Sequence, residues 1–280
     1  MNISDIVDKI KKFPPFPDVV YKLLELLNKP DYKTEDVVKV ISLDSLLTAR
    51  ILKLCNSPVY GFRKKITSVN RAVILLGRNT LTNLAISVCS SRYFDSSQEG
   101  YMLKRGELWK NSITSAFASE LLAQKIGYDD TSLLFTSTLL KDIGKIILDS
   151  FVKEKNLVLK KKLEDNCKPF NEIEKEVFGY HHGEVGAELL ERWNFPDIII
   201  DAVHYHHEPE KAQIDRNLAS LVQLADYTSM VLGIGAGIDG LQYKINLEEL
   251  SNYRLSRLDI QQILIQLVDK IESIENFLSI

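Results

Sequence analysis

The chain has 280 residues, of which 45% are hydrophobic and 26% are charged, and these proportions are typical of a folded globular protein. This length accommodates one large domain or two small ones. The net charge of −3 provides no strongly basic surface for attracting nucleic acid or an anionic membrane. The composition therefore predicts neither nucleic acid nor membrane as a partner.

The cysteines and the N-terminus indicate the compartment. Cys55, Cys89 and Cys167 are an odd number, and the first two lie within apolar helical runs, which favours reduced thiols over a disulfide framework. Residues 1–12 are amphipathic and lack the apolar stretch of a signal peptide. No run reaches the roughly 20 apolar residues of a membrane-spanning helix. These features predict a cytoplasmic protein.

Apolar residues recur at helical spacing along nearly the whole chain, and no alternating strand pattern of convincing length occurs. The fold class predicted is therefore all-α. In chain order, the pattern predicts helices after Pro17 to Leu27, then at 34–41, 46–55, 68–77, 80–90, 103–126, 131–149, 154–165, 169–178, 182–193, 196–207, 215–232 and from 256 onward.

Several helix ends are predicted from capping residues. Thr34 and Ser68 are placed to accept hydrogen bonds from the first turns of their helices. Gly77 is placed to end a helix. Ser256 and Asp259 resemble a capping box, with Asp in place of the usual Glu or Gln. The apolar stripe after them fits either packing on the core or pairing with a second copy of the chain.

The glycine-rich stretch at residues 233–240 separates the helical core from the C-terminal helices. Residues 235–240 match the spacing GxGxxG. A dinucleotide-binding loop must follow a strand and open a helix, whereas this stretch follows a predicted helix. We interpret it as a plain flexible loop.

The histidines form the main chemical signal, since all five fall between residues 181 and 207. Imidazoles clustered with carboxylates are typical of sites for first-row divalent ions. The ordinary alternative is that these side chains are satisfied hydrogen-bonding groups or helix-end residues. The pattern alone leaves both interpretations open. The histidines and the candidate carboxylates are His181, His182, His204, His206, His207, Asp142, Asp201, Glu208 and Asp226.

A near match to a metal-binding motif lies at residues 140–144, which read Leu-Lys-Asp-Ile-Gly within an apolar helical run. A Leu-His-Asp-Ile-Gly string in that setting carries the His-Asp ligand pair of a superfamily of helical metal-dependent phosphohydrolases. In this chain Lys141 stands where that histidine would be. A lysine ammonium does not ligate a metal ion, so the segment suggests the fold and argues against its usual chemistry.

The order of several further motifs resembles the HDOD family, the HD-related output domains of bacterial signalling proteins. The resemblance covers about residues 13–235. The strings that carry it are PPFP at 14–17, DSLLTARIL at 44–52, NSPVY at 56–60, ITSVNRAVILLG at 66–77, WKNS at 109–112, HGEVGAELL at 182–190, WNFP at 193–196, then His206-His207 and Ala225-Asp226.

The resemblance implies a position for each metal ligand of active relatives. Two positions have lost their histidine, one to Asn111 and one to Lys141. Five positions keep a ligand type, and Glu107, one turn before Asn111, is an expected accessory. The retained positions are Asp142, His182, His206, His207 and Asp226.

The two lost histidines lead to a hypothesis about charge. A lysine at 141 paired with Asp142 and Asp226 would balance these buried carboxylates without a metal ion. We therefore expect no cofactor. The alternative is a divalent ion (Mn, Fe or Mg) held by the five retained positions.

The resemblance also implies the organisation of the chain. We expect an HD-domain-like bundle of many helices with an N-terminal helical subdomain. The expected segments are a helical lead-in at 1–12, the HDOD domain at 13–235 (an N-terminal subdomain at 13–100 and an HD-like core at 101–235) and a C-terminal helical extension at 241–280.

Three functions are then expected in order. The first is a bacterial signalling output or adaptor protein without catalysis, acting on a signalling protein partner. The second is a metal-dependent phosphohydrolase of a nucleotide or phosphodiester. The third is a sensor that binds a phosphorylated nucleotide without turnover. The C-terminal helix is a candidate homodimer contact.

Overall fold

The computed structural model of the chain describes residues 3–27, 29–57, 62, 64–165, 168–238, 250 and 252–278. Of these described residues, 71% are helical. Within those ranges the only extended pairing is an isolated antiparallel bridge between Gln98 and Leu103. The all-α prediction is confirmed.

The chain forms two compact units. The first contains Met1–Pro14 and Tyr93–Leu267, and the second contains Pro15–Arg92 and Val268–Ile280. The helices, numbered in chain order, are α1 (Ile3–Lys12), α2 (Asp18–Leu27), α3 (Thr34–Ser42), α4 (Ser45–Cys55), α5 (Val69–Ser91), α6 (Glu107–Ile126), α7 (Thr131–Leu140), α8 (Gly144–Glu154), α9 (Asn156–Asp165), α10 (Phe170–Phe178), α11 (His182–Arg192), α12 (Asp197–Tyr205), α13 (Arg216–Val231) and α14 (Arg257–Leu278), with a 3-10 turn at Pro209–Lys211.

The second unit is built from α2 to α5 and agrees closely with the predicted pattern. Ser68 accepts a hydrogen bond from the Arg71 N–H, as expected of a cap. Gly77 has φ 70° and ψ 177°, so it separates α5 into the two helical segments that the sequence predicted. The predicted cap at Thr34 is wrong, because α3 begins at Thr34 and the residue before it, Lys33, makes no side-chain cap.

One helix of the second unit, Val69–Ser91, is long and apolar enough to cross a membrane, although 56% of its apolar window is buried inside the fold. A core helix meets the same criterion of length and composition. Among the described residues, no other helix meets it.

In the first unit, α6, α7 and α13 pack around a common apolar core. Its fully or nearly fully buried side chains include those of Ala123, Leu134, Leu218 and Val222. Burial of such side chains is the main favourable contribution to folding. α11 packs against α8 and α12, and α12 in turn packs against α7 and α13. The helix ends that meet between these helices carry the polar residues described below.

The predicted single helix at 131–149 is wrong. α7 ends at Leu140 and α8 begins at Gly144, with a tight turn between them in which the Ile143 N–H donates to the Leu140 carbonyl at 3.0 Å. A Cβ on Gly144 would overlap the His182 carbonyl oxygen, so glycine permits α8 to start in contact with α11. This break places Lys141 and Asp142 at the junction of two helices.

The start of α14 confirms another predicted cap. The Asp259 carboxylate accepts from both the N–H and the hydroxyl of Ser256, and the Asp259 N–H donates back to Ser256 Oγ at 3.2 Å. Lys125 on α6 pairs with Asp259 at 2.6 Å. The apolar residues Ile271 and Ile274 of the C-terminal helix lie outside the side chains that the structure describes, so the homodimer contact stays a prediction. Cys167 also lies outside the described residues.

Candidate functional site

A polar cluster lies inside the first unit, where the ends of several helices meet. Asn111 lies in the second turn of α6, Asp226 is on α13, and Lys141 with Asp142 forms the α7–α8 turn. The remaining members come from other helices of the unit. They are Lys145 on α8, Glu174 on α10, His182 at the start of α11, and His206 with His207 just after α12.

Lys141 is the centre of one half of this cluster, which we call the lysine half (Lys141, Lys145, Asp142, Asp226 and Asn111). Its side chain is fully buried. Its Nζ lies 2.7 Å from Asp226 Oδ1 and 2.9 Å from Asn111 Oδ1, and it also donates to Asp142 Oδ2. The contacts with Asn111 and Asp142 are hydrogen bonds, whereas the contact with Asp226 Oδ1 is an ion pair without hydrogen-bond geometry. The ion pairs of Lys141 with Asp142 and Asp226, which the sequence suggested as an alternative to a metal ion, are present.

Lys145 adds a second ammonium to the lysine half. Its Nζ lies 2.9 Å from Asp142 Oδ1 and 5.7 Å from the centre of the Tyr101 ring. The formal charges of the two lysines and of the carboxylates of Asp142 and Asp226 therefore cancel. Buried charges are tolerated when they are paired in this way.

The pKa directions follow from burial and pairing. Burial opposes the charged form of Lys141, but Asp142 and Asp226 outweigh it and raise the pKa of the ammonium. Burial also opposes ionisation of Asp142, yet Lys141 and Lys145 hold its pKa well below the usual range. For Asp226, burial prevails over Lys141, and the pKa is raised.

The other half of the cluster, the histidine half, consists of His182, His206, His207 and Glu174. His182 Nδ1 lies 2.5 Å from Glu174 Oε2, and its Nε2 lies 2.8 Å from His207 Nε2. His182 Nε2 is also 3.4 Å from Asp142 Oδ1, which joins the two halves. His206 Nδ1 donates to the Val203 carbonyl at 2.7 Å.

Burial dominates the electrostatics of the histidine half. It holds the pKa values of His206 and His207 well below the usual histidine range, so both rings are neutral. It raises the pKa of Glu174 to about 7, although the Tyr101 hydroxyl and the His182 N–H bond to that carboxylate and work against the shift. Glu174 and Tyr101 are both buried, and their side chains are joined at 2.5 Å.

The two halves fit a metal ion differently. In the lysine half an ammonium already occupies the position between Asp142 and Asp226, which repels a cation and uses the oxygens that would ligate it. In the histidine half one nitrogen from each of His182, His206 and His207 lies within 4.8 Å of the others. Among the described residues, His206 Nε2 is buried without a hydrogen-bond partner. The donor set of the histidine half therefore fits a divalent ion, and that of the lysine half does not.

The structure thus brings together seven of the eight positions that the resemblance implied for the metal site. The eighth, Glu107, has its Oε2 2.7 Å from the Lys104 N–H, to which it is bonded at the start of α6. Asp201 and Glu208 also serve elsewhere. The Asp201 carboxylate accepts the N–H groups of Gln213 and Ile214, and Glu208 pairs with Lys211.

Glu174 and Tyr101 were not found by sequence reasoning. Glu174 had a usable signal, because it lies among Phe170, Ile173 and Phe178 on the apolar face of α10, and all four side chains are buried. A single acid on an apolar helix face requires a buried partner. Tyr101 lies outside any helix and had no comparable signal.

The family comparison and the solved structures agree with this architecture. The sequence model of the HDOD domain matches residues 13–209. An HDOD domain protein of unknown function from Geobacter sulfurreducens superposes with a TM-score of 0.78 at 25% identity, covering 98% of this chain and 94% of that one.

Two further structures show the same fold at lower identity. A proposed phosphohydrolase from Shewanella amazonensis has a TM-score of 0.73 at 21% identity, covering 97% of this chain and 96% of its own. A proposed signal transduction protein from Marinobacter aquaeolei has a TM-score of 0.76 at 22% identity, covering 99% of this chain and 66% of its own.

Among curated sequences, an uncharacterised protein from Treponema pallidum is 28% identical over 229 residues, which are 80% of this chain and 44% of that protein. The Bacillus subtilis protein YuxH, also uncharacterised, is 35% identical over 105 residues, or 38% of this chain and 25% of its own length. The chain therefore spans less than half the length of the curated relatives it matches.

Proposed function

Because the chain belongs to the HDOD family, we propose that it is a signalling output or adaptor module that acts by binding a protein partner. In this proposal the lysine half takes the place of a catalytic metal site. The cluster then serves to hold α6, the α7–α8 turn and α13 in one arrangement, and the signal is transmitted through the surface of the molecule.

The observation that carries the proposal is the position of Lys141. Its ammonium is buried and bridges the carboxylates of Asp142 and Asp226. A catalytic metal would have to activate water and neutralise phosphate charge at the site. A fixed cation that already satisfies both carboxylates supplies neither the ligand positions nor the open coordination that such chemistry needs.

The test is the metal content of natively purified protein, measured by elemental mass spectrometry before and after incubation with Mn²⁺ or Fe²⁺. We expect no stoichiometric ion in the parent. Lys141→His should gain one, because it removes the ammonium and adds an imidazole. Lys141→Met is the matched control, since it removes the charge without adding a ligand, and it should bind less metal than Lys141→His.

The same measurement can overturn the proposal. A stoichiometric ion in the parent that is lost in His206→Phe would contradict it and favour the alternative function. That alternative is a metal-dependent phosphohydrolase of a nucleotide or phosphodiester, and the observation that favours it is the three-histidine donor set with the unpaired His206 Nε2.

In the alternative, His182, His206 and His207 would hold the ion, and a bound ion would supply an activated water. Glu174 would orient the His182 ring through its bond to Nδ1. The test is hydrolysis of phosphodiester substrates by protein loaded with Mn²⁺, compared with His206→Phe. Activity that survives in His206→Phe would count against this site.

A further inference from the structure

The glycine-rich segment after α13 packs against the cluster through a small number of specific contacts. We call residues 233–238 the strap. The sequence suggested a plain flexible loop here, but the Ile238 N–H donates to the Tyr101 carbonyl at 2.9 Å, and Ile234 is buried. The Ile234 carbonyl accepts from Asn111 Nδ2 at 3.0 Å. Both ends of the strap are therefore attached to the first unit.

Two glycines let the strap approach this closely. A Cβ on Gly235 would lie 2.6 Å from the Glu107 carbonyl oxygen and 2.7 Å from Asn111 Cβ. A Cβ on Gly237 would overlap the Tyr101 carbonyl oxygen. Real Cβ atoms do not come this near to backbone, so a side chain at either position would push the strap away from α6 and from Tyr101.

Asn111 links the strap to the lysine half. Its Nδ2 donates to the Ile234 carbonyl, and its Oδ1 accepts from Lys141 Nζ at 2.9 Å. A histidine ligand at this position, as the resemblance implies for active relatives, would have no amide to divide between two partners. The same amide that completes the coordination of the ammonium thus also holds the strap in place.

From these contacts we infer that the strap is a lid over the lysine half, held closed by Asn111, and that its release gives solvent or a ligand access to Lys141. The closed lid rests on few bonds and includes exposed residues such as Gly233 and Ala236, which is typical of segments that open locally before the rest of the fold. Opening of the lid would regulate access to the site of the proposed function. Only this regulatory role rests on the proposed function, and the opening itself does not.

The experiment measures the reactivity of Lys141 with an amine-acetylating reagent, N-hydroxysuccinimidyl acetate, by mass spectrometry. The exposed Lys160 is the internal standard. Gly235→Ala is the opening variant, because its Cβ would collide with α6. Gly233→Ala is the matched control, because Gly233 has a similar positive φ of 70° but nothing within 4 Å of its Cβ position. Both variants therefore carry the same backbone strain.

We expect Gly235→Ala to raise the acetylation rate of Lys141 at least about tenfold relative to Lys160, which corresponds to a closed lid weakened by about 1.4 kcal/mol. Gly233→Ala should stay near the parent. A folded Gly235→Ala with parental reactivity at Lys141 would refute the lid. Equal increases in both variants would refute it as well, because strain and not contact would then be the cause.

If Gly235→Ala does not fold, the parent itself provides the test. The amide of Ile238 should exchange with deuterium through a local opening that is insensitive to low urea, and acetylation of Lys141 should follow the same opening. Exchange of that amide only through global unfolding would overturn the lid. None of these results depends on metal content, so the lid and the proposed function can fail separately.

Discussion

The lysine half and the histidine half of the cluster satisfy their buried polar groups in opposite ways. In the lysine half, two ammonium groups pair with two carboxylates, and the ammonium of Lys141 also donates to Asn111. In the histidine half, the rings bond to one another, to a backbone carbonyl and to a carboxyl whose pKa is raised to about 7, and burial lowers the pKa values of His206 and His207.

This difference teaches which part of the site depends on charge. The lysine half is stabilised by pairing of fixed charges, so removal of one partner leaves an uncompensated ion among buried side chains. The histidine half avoids charge, so its cost appears only when pH forces a proton on or off. The three predictions below separate the two behaviours.

The largest effect is expected from Lys141→Met, which keeps the approximate volume and removes the ammonium. The free energy of unfolding at pH 7 should fall by about 3–5 kcal/mol, because Asp142 and Asp226 are left buried with one cation. Chemical denaturation measures it. The control Lys160→Met, at an exposed position on α9, should change stability by less than about 0.5 kcal/mol.

Asp226→Asn in the Lys141→Met background sharpens this result. The double variant restores one cation to one carboxylate, so it should be more stable than the sum of the single changes indicates. If the two changes in the free energy of unfolding simply add, Lys141 and Asp226 do not interact, and the lysine half is not stabilised by paired charges.

The second effect concerns Glu174, whose folded pKa is raised from 4.5 to about 7. A group whose pKa is higher in the folded state stabilises the fold fully below its unfolded-state pKa. This stabilisation is lost as pH rises through its folded-state pKa. One pKa unit corresponds to about 1.36 kcal/mol, so the free energy of unfolding of the parent should fall by about 3 kcal/mol relative to that of Glu174→Gln between pH 4.5 and pH 8. Parallel denaturation profiles of the two proteins over this interval would count against a protonated Glu174.

The third effect has the opposite sign and concerns His206, whose folded pKa lies well below the usual range. Its unfolded form binds a proton below about pH 6.5 and its folded form does not, so the parent loses stability as pH falls. Relative to His206→Phe, the free energy of unfolding of the parent should fall by up to about 1.4 kcal/mol for each pH unit below about pH 6.5. A constant difference between the two proteins from pH 8 to pH 5 would show that His206 titrates normally.

Much of the fold could be predicted from local patterns. The helical period of the apolar residues, Ser68 as a cap, the break at Gly77 and the capping box at Ser256 all appear in the structure. These features depend on residues within a few positions of one another. Thr34 is the first residue of α3 and not its cap. A threonine can occupy either position, and the neighbouring residues do not distinguish the two.

The candidate site could be predicted only in part. The order of the motifs placed Asn111, Lys141 and Asp226 in one site, and the structure joins them through a single ammonium. The sequence missed Glu174 as the partner of His182, and it missed the break between α7 and α8. Both depend on contacts between distant segments, such as the approach of Gly144 to the His182 carbonyl.

The sequence by itself determined the all-α class and the family, and its resemblance to that family implied that Asn111 and Lys141 stand where active relatives have ligand histidines. These follow from periodicity and from residue identity at ordered positions. Only the tertiary structure decided that the ammonium of Lys141 contacts Asp142, Asp226 and Asn111 together and that Asn111 divides its amide between this ammonium and the strap. The reason is physical, because hydrogen bonds require partners within about 3 Å in a favourable direction, and packing between helices alone brings residues 111, 141, 226 and 234 to that distance.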